Sequence, residues 1–180
     1  PGDMVTFDTF YTELLNDRIT ASALDDRCGI ASVLYALDQL KDTELECNVT
    51  VLFSVQEELG ERGAKIACYE INPDIALAVD VSFGYTCGDT EHECGKLGDG
   101  AMIGISPSLS REISDALINT AKNNDIPYQL EVMSGLTSTN ADRFSLSRNG
   151  VKACTVSIPL RYMHTPVEVI DINDVKLTGR

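Results

Sequence analysis

Three apolar stretches of this sequence lead directly into acidic residues or a histidine. The residues concerned are Glu57 and Glu58 after the first stretch, Asp80 within the second, and His164 after the third. Carboxylate oxygens and imidazole nitrogens are suitable ligands for zinc, cobalt or manganese. If the fold gathers these side chains, the chemistry they support best is that of a metal site.

The three stretches are rich in apolar and β-branched residues, which is typical of strands buried on both faces. They span residues 48–55, 74–81 and 151–158. Helical spacing of apolar residues follows Asp26 and recurs at 60–70, 110–123 (with Ser110 at the N-cap) and 139–148, whereas 86–100 has the composition of a loop. This alternation predicts an α/β fold with a mostly parallel central sheet flanked by helices on both faces.

In open α/β sheets, ligands bind at the carboxyl ends of the strands. We therefore expect the acids and the histidine to converge there, together with Asp25 or Asp26 at the start of the first long helix. Carboxylates held close together repel one another and favour the protonated form. A divalent cation removes this repulsion, so the pattern indicates a metal site, including one in which two ions share a carboxylate.

Each residue also has a purely structural interpretation. Glu57 and Glu58 could form an exposed acidic turn, and either Asp25 or Asp26 could cap a helix. Asp80 could be a turn residue, and His164 could be a partly buried histidine without a ligand. The convergence of several such residues, more than any one of them, favours the metal site.

A second metal site is conceivable because Cys87, His92 and Cys94 lie within a short, polar segment. They could supply three soft ligands. No fourth ligand follows at the spacing of a zinc finger, and we consider this the weaker of the two sites.

Composition excludes several classes of function. The 180 residues carry a formal net charge of −14, which opposes binding to nucleic acid and to anionic membranes. No apolar run is long enough for a membrane helix, and no signal peptide is visible. The six cysteines lack the spacing of a disulfide scaffold, and Cys28, Cys68 and Cys154 lie in apolar stretches, so we expect a reducing, cytoplasmic environment.

Four motifs resemble those of the tetrahedral aminopeptidases, a family that includes bacterial glutamyl aminopeptidases and proteins once labelled endoglucanases. In order along the chain they are ALDDRCG, VLFSVQEELGERGA, ALAVDV and IPLRYMHTPVE. The resemblance covers almost the whole chain. It implies the fold of a zinc-peptidase catalytic domain, an aminopeptidase that hydrolyses N-terminal residues of short peptides, and a protein that forms homo-oligomers.

The resemblance also implies roles for individual residues. Asp25 would bridge two divalent ions, zinc or cobalt, with Glu58 and His164 binding one ion and Asp80 the other. Glu57 would be the general base that takes a proton from a water bridging the metals. Arg161 would hold ligand geometry or contact the substrate.

The sequence departs from the family pattern in three respects. An upstream His-x-Asp motif, whose histidine binds one metal, is missing, since His92 is followed by Glu93 and Cys94. One metal position would then lack a ligand. Residues 1–20 resemble only the exit of a β-rich dimerisation domain, which leaves 21–180 as the catalytic domain. Asn140 stands where family members more often have aspartate.

Two other functions compete with the aminopeptidase. A catalytically incomplete domain could act only in binding or assembly, and the missing histidine favours it. Glycoside hydrolysis also uses two carboxylates, but the adjacent Glu57 and Glu58 would not readily flank one bond from opposite sides. The apolar residues Val5, Phe7, Phe10 and Tyr11 further predict self-association.

Overall fold

The structure is a computed structural model that describes residues 2–180. Its main sheet consists of the strands β3 (Ile75–Phe83), β4 (Ala101–Ile105), β5 (Tyr128–Val132) and β6 (Lys152–Leu160). These four strands lie in the order β3–β6–β4–β5. The β3–β6 and β4–β5 pairs are parallel, while β4 and β6 are antiparallel.

In the described part of the chain, five α-helices cover this sheet: α1 (Leu24–Leu40), α2 (Arg62–Ile71), α3 (Arg111–Asn123), α4 (Asn140–Ser145) and α5 (Ile172–Thr178). Two apolar clusters form the core. One joins α2, α3 and α4 to the sheet through residues such as Cys68, Ile113 and Phe144. The other joins α1 and β6 through Cys28 and Ile158, with Val175 of α5 packed against it. The predicted α/β fold with a parallel-rich sheet between helices is therefore confirmed.

A second, smaller sheet lies beside the first. Its three antiparallel strands, in the order β1–β2–β7, are β1 (Thr12–Glu13), β2 (Arg18–Ala21) and β7 (Glu168–Asp171). Because β2 pairs along its whole length with β7, the end of the 1–20 segment packs against a strand that begins four residues after His164. Pro1 of that segment lies outside the described residues. The domain boundary near residue 20 stays a prediction.

The strand predicted over 48–55 is wrong for this structure, which has no helix or strand there. A strand forms only beside another strand whose backbone N–H and C=O groups pair with its own. Among the described residues, no such strand lies beside residues 48–55. Phe53 and Val55 are instead largely exposed, and Leu52 packs against the core.

The other predicted elements agree with the structure to within a few residues. Thr139 caps α4 by accepting a hydrogen bond from the Ala141 N–H, whereas Ser110 occupies the N-cap of α3 without a side-chain bond. Cys28, Cys68 and Cys154 are buried free thiols. Among residues 2–180, no helix has both the length and the apolar character needed to cross a bilayer.

Candidate metal centre and active-site cavity

Asp25, Glu58 and His164 come together in the structure although they are far apart in the sequence. His164 Nε2 lies 3.1 Å from Asp25 Oδ2 and 3.3 Å from Glu58 Oε1. One ligand atom from each of the three residues lies within 4.8 Å of the others. The Asp25 side chain is only 10% exposed, whereas those of Glu58 and His164 are about 60% exposed. The cluster thus has a buried carboxylate and an open side.

Asp25 and Asp26 have different tasks at the start of α1. Both have non-helical backbone angles, and the peptide bond between them is cis. The Asp26 carboxylate accepts a hydrogen bond from the Gly29 N–H at 2.9 Å, which satisfies one of the free donors at the beginning of the helix. Asp26 therefore caps α1, and Asp25 is left to face His164.

Glu168 holds the cluster in place from its buried side, although no apolar stretch or spacing singled it out as a site residue. Its side chain is 2% exposed. One carboxylate oxygen accepts hydrogen bonds from the Leu24 N–H at 2.7 Å and the Asp25 N–H at 3.1 Å, and the other accepts from the His164 N–H at 2.9 Å. The sole signal in the sequence is its place at the end of the RYMHTPVE motif.

Glu57 and Asp80 border the cluster. Both line the same cavity as Asp25, Glu58 and His164. Burial raises the pKa of Glu57 to about 7, with repulsion from Glu58 adding to the effect. Burial likewise raises the pKa of Asp80 to about 7, although the Val81 N–H bonded to its carboxylate opposes the rise.

The pKa values of Asp25 and Asp26, the two acids at the start of α1, are raised as well. Burial and the neighbouring Glu58 raise the pKa of Asp25 to about 6, while His164 works against this rise. Burial and the nearby Asp80 raise the pKa of Asp26 to about 8. Acids that repel one another this strongly form a site that a divalent cation would stabilise.

The donor set fits a divalent metal. Two carboxylates and one imidazole lie within mutual reach of one ion, and Asp80 supplies a further carboxylate in the same cavity. These are the oxygen and nitrogen ligands that zinc, cobalt and manganese accept in proteins. In residues 2–180, Cys87, His92 and Cys94 are not brought within such a distance of one another.

The cavity has a volume of about 550 Å³, which is sufficient for part of a peptide. Beyond the acids already described, its lining includes an apolar wall, formed by residues such as Leu130, Val132 and Leu136. Glu131 also lines the cavity, and it accepts hydrogen bonds from the Ser82 hydroxyl and from the Ser157 hydroxyl, the latter at 2.8 Å. Burial raises the pKa of Glu131, and the two serine hydroxyls limit the rise.

A buried aspartate holds one edge of the cavity in shape. Asp142 accepts hydrogen bonds from the Thr137 N–H at 3.0 Å and the Ser138 N–H at 2.8 Å, and both donors belong to cavity-lining residues. Next to it, the Asn140 amide donates to the Ser54 hydroxyl at 3.0 Å. Asn140, which stands where family members more often have aspartate, therefore contacts the segment that precedes Glu57.

Arg161 is not among the described residues that line the cavity. Its backbone exchanges two hydrogen bonds with Val169, at 2.9 and 3.1 Å. Its Nε is buried and has no acceptor among the described residues. A role in substrate contact stays a prediction.

Comparison with known proteins identifies relatives over the full chain. The model of the M42 glutamyl aminopeptidase family matches residues 1–180. A lysyl aminopeptidase of Pyrococcus furiosus is 34% identical over 177 residues, which cover 98% of this chain and 51% of the relative. The chain therefore spans about half the length of the curated relatives it matches.

Two solved structures extend this likeness to the fold. An aminopeptidase of the archaeon Desulfurococcus kamchatkensis matches with a TM-score of 0.85 and 38% identity, over 96% of this chain and 50% of its own. The TET1 peptidase of Pyrococcus horikoshii, described as assembling into a tetrahedron or a large octahedral shell, matches with a TM-score of 0.80 and 31% identity. That match covers 96% of this chain and 51% of the TET1 chain.

Proposed function

Because this chain belongs to the M42 glutamyl aminopeptidase family, we propose that it carries the catalytic centre of a metal-dependent aminopeptidase. The enzyme would remove N-terminal residues from short peptides. The observation that carries this proposal is the grouping of Asp25, Glu58 and His164 around one point, with Glu57 in the same cavity.

Two divalent ions, zinc or cobalt, would be held by four residues of this chain. Asp25 would contact both ions, Glu58 and His164 would bind one, and Asp80 the other. The short distances within the Asp25–Glu58–His164 group and the raised pKa values of Asp25 and Asp80 support this arrangement. When bound, such ions would supply Lewis-acid chemistry, activating water and polarising a carbonyl group.

Glu57 would act as the general base. A carboxylate accepts a proton from an attacking water most effectively when its pKa lies near the working pH. The half-buried Glu57, with its pKa raised to about 7 by burial, meets this condition. After the tetrahedral stage, the same carboxyl would return the proton to the departing amine.

The open side of the cluster would admit the peptide. Glu58 and His164 are exposed towards the cavity, while Asp25 is covered from behind by Glu168 and α1. A substrate entering with its free amine towards the carboxylates would gain favourable charge interactions there. That gain supports attack at the N-terminus of a peptide.

A preceding segment would complete the site. We propose that the full-length protein is longer than this chain and supplies the family's upstream histidine, which neither His92 nor His164 replaces. Residues 1–20 would be the exit of its dimerisation domain. We further propose that the full-length protein forms homo-oligomers, supported by the strong exposure of Val5, Phe7 and Phe10.

A second candidate is a catalytically incomplete chain that serves only in binding or assembly. One observation favours it: within residues 2–180, the grouped ligand set contains three residues, which suffices for only one ion. Metal analysis separates the two proposals. Two tightly held ions per full-length chain would contradict the incomplete domain.

The deciding experiment replaces Glu57 with glutamine in the full-length protein. The E57Q variant should lose at least about 100-fold in kcat on short peptides, because its amide cannot take a proton, while its metal content stays at the wild-type level. Glu70→Gln, an exposed position on α2, is the matched control and should leave both quantities unchanged. Normal turnover by E57Q would remove Glu57 as the base.

A further inference from the structure

We infer that Arg143 is a positioning residue for the proposed reaction, and that its ion pair with Glu61 holds the turn that carries Glu57 and Glu58. This inference rests on the proposed aminopeptidase function, because it concerns the placement of the proposed general base. It is carried by the way in which residues 48–61 are attached to the rest of the molecule.

The 48–61 segment carries the proposed general base without belonging to a sheet, since it contains no helix or strand. Within residues 2–180, every backbone hydrogen bond that this segment forms is local. For example, the Glu57 carbonyl group accepts from the Gly60 N–H at 3.1 Å and from the Glu61 N–H at 2.8 Å. Because no neighbouring strand fixes the segment, side chains must fix it instead.

Two side chains of α4 connect this segment to a distant part of the chain. The Asn140 amide donates a hydrogen bond to the Ser54 hydroxyl at 3.0 Å. Arg143 Nε donates to a carboxylate oxygen of Glu61 at 2.5 Å. Ser54 and Glu61 lie on either side of the glutamate pair, each three residues from it. Apart from the contact with His164, these are the only side-chain hydrogen bonds or ion pairs in residues 2–180 that reach the segment from a distance.

The pair between Arg143 and Glu61 is better shielded from water than the other pairs of this kind. Its side chains are 39% and 14% exposed. In every other pair that a lysine or arginine forms with an acid in the described part of the chain, both side chains are at least 49% exposed. Exposed pairs contribute little because water and salt screen them, whereas a partly buried, charge-assisted bond retains more of its attraction.

The turn needs this support because its backbone and its charges both oppose it. Gln56 and Glu61, at its two ends, have φ angles of 58° and 51°, in the left-handed region that residues other than glycine rarely adopt. The carboxylate of Glu61 also repels that of Glu57. Arg143 counteracts this repulsion, because it compensates the charge of Glu61 and keeps that side chain against α4.

The position of the turn bears directly on the rate of the proposed reaction. A general base must lie within hydrogen-bond reach of the attacking water, and a displacement of about 1 Å can cost about 100-fold in rate. Arg143 is not among the described residues that line the cavity, whereas Glu61 is. Arg143 therefore acts through Glu61, and its loss should lower kcat more than it raises KM.

The first test measures amide hydrogen exchange in the full-length protein. In Arg143→Met, which keeps an unbranched stem without the charge, exchange in residues 54–61 should be at least about tenfold faster. Exchange in β4 should keep its wild-type rate. Arg111→Met is the matched control, because it removes an exposed pair between Arg111 and Asp115 on α3, and it should leave residues 54–61 unchanged. Unchanged exchange in Arg143→Met would overturn the inference.

The second test measures release of N-terminal residues from short peptides by the full-length, metal-loaded protein. In Arg143→Met, kcat should fall at least about tenfold, with KM within about twofold of the wild-type value. Arg143→Lys keeps a cation that reaches Glu61, so its kcat should lie within about threefold of wild type. An unchanged kcat, an effect confined to KM, or equal losses in the two variants would overturn the inference and leave the aminopeptidase proposal intact.

Glu61→Ala breaks the same pair from the other side and decides the matter where Arg143→Met fails to fold. It should accelerate exchange in residues 54–61 and lower kcat by the same factors. Wild-type exchange and wild-type kcat in Glu61→Ala would overturn the inference. If the wild-type protein hydrolysed no peptide, the proposed function would fail, and the exchange rates would still show whether Arg143 holds the turn.

Discussion

The carboxylate of Glu168 joins the backbones of Asp25 and His164 by accepting a hydrogen bond from each N–H, at 3.1 and 2.9 Å. Its other contact, to the Leu24 N–H at 2.7 Å, lies on the same oxygen as the bond to Asp25. The start of α1 and the turn after β6 are therefore fixed to one buried anion. The relative position of two proposed metal ligands depends on it.

Replacing Glu168 with glutamine should weaken both the fold and the metal centre. One end of the amide is a donor, so at least one of the three backbone N–H groups loses its acceptor, at a cost of about 1–3 kcal/mol. Because the two ligands would shift relative to each other, metal affinity should fall about 10–100-fold. Urea unfolding and calorimetric metal titration measure the two effects.

The matched control for this variant is Glu46→Gln, at an exposed position outside the cavity. It should change neither stability nor metal affinity. If Glu168→Gln bound metal as tightly as the wild type, Glu168 would have no part in positioning the ligands.

Some residues of this site could be predicted from the sequence and others could not. The difference is whether a residue follows an apolar stretch that can be recognised as a strand. His164 follows strand β6, so its place at the carboxyl end of the sheet could be expected. Glu58 was expected there for the same reason, but the 48–55 stretch before it is not a strand in the structure. Glu168 and Glu131 leave no such signal, because a carboxylate that accepts buried N–H or O–H groups has the same sequence context as a surface acid. Their role appears only when distant segments are packed together.

Two other features lay beyond what spacing and composition could predict, although the family resemblance had already singled out Asp25. Asp25 and Asp26 are adjacent and chemically identical, and only the backbone angles at the start of α1 decide which one caps the helix. The 48–55 segment has the composition of a buried strand, but strand formation requires a hydrogen-bonding partner elsewhere in the structure. Helices depend mainly on local bonds, which explains why α1 to α4 were predicted close to their observed bounds.

Asp80→Asn should reduce the metal content of the full-length protein from two ions per chain to one. The amide keeps the size of the side chain but removes the negative charge that would hold the second ion. Elemental analysis after gel filtration gives the stoichiometry. Asp74→Asn, at an exposed position just before β3, should retain two ions. Two ions in Asp80→Asn would assign the second site to other residues.

The metal-free protein should lose stability as the pH rises from 4 to 8. Asp25, Asp26, Glu57 and Asp80 all have pKa values raised above those of the unfolded chain, to between about 6 and about 8. The folded state therefore binds more protons than the unfolded state in this window. The stabilisation is complete below the unfolded pKa values near 4 and is lost as the pH passes the folded values.

The expected loss is at least about 2 kcal/mol, because a change of one in the pKa of a carboxyl is worth about 1.4 kcal/mol, and the more deeply buried Asp26 and Asp80 have pKa values of about 8 and about 7. Urea unfolding at pH 5 and pH 8 in the presence of a chelator measures it. Saturating zinc should make the protein more stable at pH 8 than the chelated sample, because cations neutralise the same carboxylates. A metal-free protein that is more stable at pH 8 than at pH 5 would contradict the prediction.

Gly29→Ala tests whether the Asp26 cap keeps Asp25 in place. A Cβ at Gly29 would lie 2.2 Å from an Asp26 carboxylate oxygen, so the cap must move and its bond to the Gly29 N–H at 2.9 Å must lengthen. We expect destabilisation of about 1–3 kcal/mol, from the overpacking and the lost cap, together with weaker metal binding. Gly135→Ala is the matched control, because nothing lies within 4 Å of a Cβ there. Equal stability of the two variants would mean that the Asp26 cap adapts without moving Asp25.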